Sequence, residues 1–256
     1  MESIQKTVLI TGATSGIGEQ TSIEFAKNGH KTIIIGRRLD RLIALKNKIQ
    51  NEFHTAVHSI QIDVRNREDV EKAISSLPDE FKAIDVLINN AGLALGFVPF
   101  EEGLPEDWDT MIDTNIKGLL YVTHYVLPLM IKANKGHIIN IGSIAGREVL
   151  PNGNVYCGTK HAVDGITKGM RHDLTKYGIK VTQIAPGATE TEFSIVRYKG
   201  DKSKASAVYE GFQPLVGKDI AEIIYYVTTL PQHVNIADML ILPTAQASIQ
   251  NFYRNT

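Results

Sequence analysis

The sequence predicts an α/β fold of the doubly wound type, in which helices cover both faces of a seven-stranded parallel sheet. Two observations predict it. Short apolar runs alternate with longer amphipathic runs along nearly the whole chain. Several short runs are also apolar at consecutive positions, as expected of strands that are covered on both faces. This alternation is typical of parallel strands joined by right-handed helical crossovers.

The predicted elements follow one another in a regular order. Strands are expected at residues 8–10, 32–35, 59–62, 86–88, 137–141, 180–184 and 238–242. Helices are expected at residues 17–28, 39–51, 68–76, 107–133, 156–176 and 218–229. Because no linker, repeat or low-complexity tract divides the chain, residues 1–256 are expected to form a single domain.

A polar, irregular segment at 189–214 interrupts this order between the sixth strand and the last helix. Ligands of doubly wound folds bind at the carboxyl ends of the strands, where this segment starts. We therefore expect a substrate lid at 189–214, with an ordinary surface insertion as the alternative.

Composition narrows the class of protein. The chain has 256 residues, 43% of them hydrophobic and 21% charged, with a formal net charge of -1. This balance gives no indication of nucleic-acid or anionic-membrane binding, and no apolar run has the roughly 20 residues of a membrane span. The one cysteine, Cys157, excludes an internal disulfide, and the start of the chain has no signal-peptide pattern. A cytoplasmic location is expected. The histidines show no metal-ligand spacing, so no metal is expected.

A glycine-rich turn directly follows the first predicted strand and opens a helix. Its spacing, G-x-x-x-G-x-G, is a variant of the dinucleotide-binding fingerprint of Rossmann domains. Glycines allow a tight turn, and the amides at the helix N-terminus favour a pyrophosphate. The candidate cofactor contacts in this turn are Gly12, Thr14, Ser15, Gly16, Ile17 and Gly18.

The end of the second strand indicates which dinucleotide is bound. NAD-selective sites place an acidic residue there, whereas arginine accommodates the 2′-phosphate of NADP. Here Arg37 and Arg38 occupy these positions, and the first acidic residue after the strand is Asp40. NADP is therefore the expected cofactor, although one of the two arginines could be a solvated residue at a helix start.

Two further strand ends point to the same cofactor. Asp63 and Val64 follow the third strand, where they could contact the adenine, although Asp63 could equally cap a helix. Small residues after the fourth strand, Asn90, Ala91 and Gly92, allow close approach of the backbone to a ligand.

Tyr156 and Lys160 lie four residues apart and would share one face of a helix. A tyrosine needs a pKa near 7 to act as a base at neutral pH, which is about three units, or about 4 kcal/mol, below its usual value. One cation at about 4 Å supplies that much at an effective dielectric near 20. Alone, the spacing is also compatible with a solvated helix face. Ser143, at the end of the fifth strand, is expected at the same sheet edge as the glycine turn.

These motifs together resemble the short-chain dehydrogenase/reductase family across essentially the whole chain. The family's order is kept by residues 11–18, residues 89–92, Asn115, Ser143, Tyr156, Lys160, Pro186 and Gly187. The resemblance implies an NADP-dependent oxidoreductase in which Tyr156 exchanges a proton with the substrate oxygen. Lys160 would hold the nicotinamide ribose and lower the pKa of Tyr156, and Ser143 would hydrogen-bond the substrate oxygen.

The same resemblance implies several supporting roles. Asn115 would hold a water that joins Lys160 to solvent, and Pro186 and Gly187 would lie beside the nicotinamide. Thr189 and Thr191 are further implied cofactor contacts. A homotetramer built partly on helices 107–133 and 156–176 is also implied, in agreement with the apolar residues that these helices carry beyond one stripe.

Four longer stretches resemble one subgroup of the family, the NADP-dependent 3-hydroxy acid dehydrogenases: residues 89–96, 107–118, 191–200 and 242–248. That resemblance implies hydride transfer at C3 of small 3-hydroxy acids such as serine, allo-threonine and 3-hydroxypropionate. The substrate carboxylate needs a cation, and Arg147 and Arg197 are the candidates, with Arg147 preferred. Glu190 or Glu192 could meet a substrate amino group.

Two alternatives stay open. Another carbonyl reductase of the family, acting on other ketones or on 3-oxoacyl thioesters, would keep the same motifs. A regulator that binds NADP without catalysis is less compatible with them, because it has no need of Tyr156 and Lys160.

Overall fold

A computed structural model of the chain describes residues 5–255. Seven parallel strands form the main sheet in the order β3-β2-β1-β4-β5-β6-β9. They are β1 (Thr7–Thr11), β2 (Lys31–Gly36), β3 (Val57–Gln61), β4 (Val86–Asn89), β5 (Gly136–Ile141), β6 (Ile179–Pro186) and β9 (Asp238–Ile241). Two short strands, β7 (Thr189–Glu190) and β8 (Leu215–Val216), pair with each other outside this sheet. The predicted parallel, doubly wound sheet is confirmed.

Nine α-helices connect and cover the strands in the described part of the chain. They are α1 (Gly16–Lys27), α2 (Leu39–Phe53), α3 (Arg67–Ser75), α4 (Pro105–Ile112), α5 (Leu119–Ala133), α6 (Asn154–Leu174), α7 (Glu192–Arg197), α8 (Lys202–Ala207) and α9 (Gly217–Thr229).

Two predicted segments differ from the structure in an informative way. The single helix expected at 107–133 is a helical run in which a π-helical turn at Asp113–Gly118 separates α4 from α5. The segment 189–214, expected to be irregular, contains β7, α7 and α8. These last two helices have six residues each, too few to show a hydrophobic period in the sequence.

Two apolar layers explain why the strands are apolar at consecutive positions. Because side chains alternate across a strand, Ile10 and Ile34 pack with α1, α2 and α9, whereas the adjacent Leu9 and Ile33 pack with α3, α5 and α6. All four side chains are fully buried. The helices therefore hold both faces, which leaves the carboxyl ends of the strands as the edge available for a ligand.

A polar network lies between β4 and β5 in this otherwise apolar interior. The Asn89 amide donates to Thr123 Oγ1 and to Asn140 Oδ1, both at 2.9 Å, and the Asn140 amide donates to Thr167 Oγ1 at 2.9 Å. Asn89 and Asn140 are register partners near the ends of β4 and β5. The network thus fixes the spacing of the two strands that carry Asn90 and Ser143.

We expect Asn140→Ala to lower the free energy of unfolding by about 3 kcal/mol, because it opens a cavity and leaves buried donors without partners. Urea unfolding measures the change. Asn51→Ala, on the exposed face of α2, is the matched control and should change stability by less than about 0.5 kcal/mol. Equal losses in the two variants would mean that the network contributes nothing specific.

Candidate active site

The carboxyl ends of β1, β4, β5 and β6 surround one cavity of about 560 Å³, closed on its outer side by the beginning of α7. Most residues predicted to bind the cofactor or to act in catalysis line it. They are Gly12, Thr14, Ser15, Gly16, Ile17, Arg37, Arg38, Asp63, Val64, Asn90, Ala91, Gly92, Ser143, Tyr156, Lys160, Pro186, Gly187, Thr189, Thr191 and Arg197. Of the predicted site residues, Gly18, Asn115 and Arg147 do not line it.

The glycine turn is fixed by the strand beside it. Thr11 Oγ1 accepts hydrogen bonds from the amides of Asn90 and Ala91 at 3.0 and 2.9 Å, and the Asn90 side chain donates to Thr11 O at 2.9 Å. A Cβ on Gly18 would overlap the Gly12 carbonyl and the Asn90 side chain, so Gly18 allows this packing without facing the cavity. Gly12 and Gly16 have positive φ angles, which glycine adopts readily.

The two arginines after β2 behave differently. Arg38 lies against the glycine turn, where its guanidinium donates to Thr14 Oγ1 at 3.0 Å and to Ser15 Oγ at 2.9 Å. Arg37 is more open: its side chain is 58% exposed and 3.9 Å from Asp63. Both arginines line the cavity just after β2, the place where NADP sites hold the 2′-phosphate. A guanidinium group suits a phosphate, so the residues present fit NADP.

Asp63 has a partner that the sequence did not indicate. Arg65 binds its carboxylate through Nε at 3.0 Å and NH2 at 2.6 Å. Partial burial acts to raise the pKa of Asp63, but the hydrogen bonds from Arg65 outweigh it and lower the pKa. The carboxylate therefore stays ionised and held in one orientation where the cavity meets the end of β3.

Ser143, Tyr156 and Lys160 come together at the end of β5. Ser143 begins a short helical turn at Ile144–Gly146, and a Cβ on Gly146 would lie 2.6 Å from Lys160 O, so this turn packs closely on α6. Lys160 Nζ donates to Ile141 O at 2.8 Å. Ser143 lines the cavity beside Tyr156, and Ser143 Oγ accepts from Ala145 N at 3.0 Å. The three predicted catalytic side chains thus meet in one place.

Burial controls the charge of this group. Lys160 is 7% exposed, and desolvation lowers its pKa to about 8. Tyr156 is 8% exposed, and desolvation raises its pKa, while the positive charge of Arg197 and the Ser143 hydrogen bond oppose the rise. The direction for Tyr156 is opposite to the one expected from Lys160 alone, because burial has the largest effect on its pKa.

The side chain of Asn115 is used within the protein. It donates to Leu93 O at 2.8 Å and to Thr159 Oγ1 at 3.0 Å, and it accepts from Leu93 N at 2.8 Å. With both amide donors engaged, Asn115 can hold a water only through an acceptor, which is its main-chain carbonyl or the second lone pair of Oδ1. The π-helical turn that contains Asn115 is the local irregularity that places it there.

The two candidate carboxylate-binding arginines are far from equivalent. Arg147 forms an ion pair with Asp238 and does not line the cavity. Arg197 does line it, stacked between aromatic rings, with its guanidinium carbon 5.4 Å from the centroid of Tyr156, 5.0 Å from Phe193 and 5.5 Å from Phe97. No acidic side chain in the described chain forms an ion pair with it. Because Asp238 holds the Arg147 guanidinium away from the cavity, the geometry favours Arg197 over Arg147, the residue that the sequence analysis preferred.

Several residues that build the site carry no signal in the sequence. Phe97 and Phe193 lie over the guanidinium of Arg197, and the Tyr209 hydroxyl donates to Thr189 O at 2.9 Å. Glu192, one of the two acids considered for a substrate amino group, pairs instead with Arg38 at 2.8 Å and with Arg41 at 2.6 Å. Partial burial acts to raise the pKa of Glu192, but these bonds lower it overall. Thr11 differs from these residues, because it directly precedes the glycine turn and its role in holding that turn could have been inferred from its position.

A second cavity of about 680 Å³ adjoins the first, between the loop at 95–108 and the lid. It shares Tyr156, Arg197 and Phe97 with the first cavity. Leu95, Trp108 and Met111 supply apolar walls. Tyr156 and Arg197 therefore lie where the two cavities meet.

The family profile described as short chain dehydrogenase matches residues 6–201, three quarters of the chain. The chain belongs to the short-chain dehydrogenase family. The predicted family is thereby confirmed.

Well-characterised relatives resemble this short-chain dehydrogenase over almost its whole length. It is 49% identical over 241 residues to the NADP-dependent 3-hydroxy acid dehydrogenase YdfG of Salmonella typhi, covering 94% of this chain and 96% of the relative. It is 44% identical to the serine 3-dehydrogenase of Agrobacterium fabrum (strain C58), covering 94% and 95%. A structure of serine dehydrogenase in a closed form complexed with NADP⁺ superposes with a TM-score of 0.91 at 45% identity, covering 98% of this chain and 100% of that one.

None of the helices in residues 5–255 of this short-chain dehydrogenase is both long enough and apolar enough to span a membrane. Nor do these residues bring together three or more His, Cys, Asp or Glu side chains in a way that would suit a metal ion.

We expect Lys160→Met to stabilise the unloaded dehydrogenase by about 2 kcal/mol at pH 7. The folded-state pKa of about 8 lies below the unfolded value of about 10.4, so below pH 8 the folded state carries the full cost of a buried charge. That cost falls as the pH rises from about 8 to about 10.5, and the advantage of the variant should fall with it.

Urea unfolding from pH 7 to 10 measures this difference. Lys48→Met, on the exposed face of α2, is the control and should show no such trend. A variant that is less stable than the wild type at pH 7 would contradict the burial cost.

Proposed function

We propose that the protein transfers a hydride between the nicotinamide of NADP and C3 of small 3-hydroxy acids, with serine, allo-threonine and 3-hydroxypropionate as candidate substrates. The observation that carries this proposal is the position of Arg197, an unpaired guanidinium beside the phenol of Tyr156. The names of the relatives, NADP-dependent 3-hydroxy acid dehydrogenase and serine 3-dehydrogenase, support the same class of reaction.

The protein is an NADP-dependent oxidoreductase, and its cofactor when bound supplies the hydride acceptor or donor at nicotinamide C4. The glycine turn would hold the pyrophosphate, with Arg37 and Arg38 near the 2′-phosphate. Gly92 lies at the other end, where a Cβ would approach Asn115 Oδ1 to 3.2 Å and Lys160 Nζ to 3.6 Å. The nicotinamide ribose would bind close to this ammonium.

Tyr156 is the group that moves the proton. In the reducing direction its neutral phenol donates to the oxygen that was the substrate carbonyl, and burial keeps the phenol protonated for this step. In the oxidising direction the phenolate must form first, and the positive charge of Arg197 and the hydrogen bond from Ser143 both favour it. Ser143 would orient the substrate oxygen toward Tyr156.

Arg197 is proposed to bind the substrate carboxylate. Its stacking on Phe193 and Phe97 fixes the plane of the guanidinium and leaves its edge for a bidentate anion. In a 3-hydroxy acid a single carbon, C2, lies between the carboxylate carbon and C3, whose hydrogen is transferred as hydride. A cation stacked against Tyr156 is therefore at a suitable distance from the reacting oxygen.

The remaining features of the proposal concern the whole protein. Residues 189–214 would act as the substrate lid, since α7 brings Phe193 and Arg197 to the cavity. Residues 1–256 would act as one dinucleotide-binding and catalytic domain. We further propose a cytoplasmic homotetramer, which light scattering would test.

Tyr156→Phe should reduce kcat by at least about 10³-fold, because no other group in the site can transfer the proton. The Kd for NADPH, measured by calorimetry, should change by less than about twofold, since the ring and its packing remain. Normal turnover in this variant would disprove the mechanism.

Arg197→Met should raise KM for 3-hydroxypropionate about 10- to 100-fold, the loss expected when a charge-assisted hydrogen-bond pair is removed. Arg147→Met is the matched control, because Arg147 is paired with Asp238 outside the cavity. Its KM should stay near the wild-type value. Steady-state NADP⁺ reduction measures both variants, and the reverse ranking would assign the carboxylate to Arg147.

A further inference from the structure

The carboxylate of Glu192, at the first residue of α7, occupies the arginine cluster beside the glycine turn. It binds Arg38 NH1 at 2.8 Å through one oxygen and Arg41 NH1 at 2.6 Å through the other. The remaining donors of Arg38 are directed to Thr14 and Ser15. Almost every N–H group of Arg38 is therefore engaged, and the anion it contacts belongs to the lid.

Glu192 is held at this position by the residue before it. Thr191 caps α7, accepting from Phe193 N, and a Cβ on Gly16 would lie 3.1 Å from the Thr191 side chain. The start of α7 thus rests directly on the glycine turn. An anion that binds Arg38 and Arg41 in place of Glu192 therefore also removes the contacts of the first turn of α7.

We propose that Glu192 is an internal competitor of the 2′-phosphate of NADP for Arg38 and Arg41, so that phosphate binding releases the first turn of the lid. A monoanionic carboxylate and a phosphate both accept hydrogen bonds in the plane of a guanidinium, and one edge cannot serve both fully. The phosphate carries the larger charge and replaces the carboxylate. The adenosine end of the cofactor thereby controls the segment that carries Arg197.

Binding of two adenosine nucleotides by calorimetry tests the proposal without catalysis. Adenosine 2′,5′-bisphosphate carries the 2′-phosphate and adenosine 5′-monophosphate lacks it. Glu192→Gln should tighten the bisphosphate about two- to fivefold, the range expected of half-exposed ion pairs, and leave the monophosphate unchanged. Glu190→Gln removes the same charge two residues away, on a side chain that lines neither cavity, and should change neither affinity.

Hydrogen exchange supplies a second readout on the unloaded protein. The amides of α7 should exchange faster in Glu192→Gln than in the wild type, and the bisphosphate should produce the same increase in the wild type. Unchanged or weaker bisphosphate binding by Glu192→Gln would overturn the competition. So would weaker binding of both nucleotides, which would make Glu192 a brace that holds the lid over the whole cofactor.

Discussion

The hydrogen bond from Lys160 to Ile141 O is the interaction on which the arrangement of the site depends. It joins α6 to the end of β5 and places an ammonium where water is nearly absent. Desolvation then lowers the pKa of Lys160 and raises that of Tyr156. The same burial increases the effect of Arg197 and Ser143 on the pKa of Tyr156, because charge interactions strengthen as water is excluded.

One short helix, α7, joins the two ends of the cavity. Glu192 begins α7 at the arginine cluster, and Arg197 ends it beside Tyr156. Four residues therefore lie between the carboxylate of Glu192 and the guanidinium of Arg197 along the chain. If residues 189–214 act as the proposed lid, a helical segment this short is a physical means of linking nucleotide binding to substrate binding.

The parallel, doubly covered sheet and most of the residues that line the cavity could be predicted from the sequence, because each depends on local signals. The consecutive apolar residues around Ile34 predict a doubly covered strand, and the glycines at 12, 16 and 18 predict a turn that opens a helix. The interaction partners of the charged side chains could not be predicted. Arg147 lies near Tyr156 in the chain, yet Asp238, distant in sequence, holds it elsewhere. Likewise nothing in the sequence shows that Arg197 stacks on aromatic rings or that burial reverses the pKa shift of Tyr156.

The pH dependence of phenolate absorbance at the tyrosine band tests the central claim most directly, namely that burial governs the charge of the catalytic pair. The titration of the unloaded wild type minus that of Tyr156→Phe isolates one phenol. We expect no phenolate from Tyr156 below about pH 10, because its pKa is raised above the usual value. A Tyr156 phenolate that forms near pH 7 in the unloaded protein would contradict the account, since Lys160 would then outweigh desolvation.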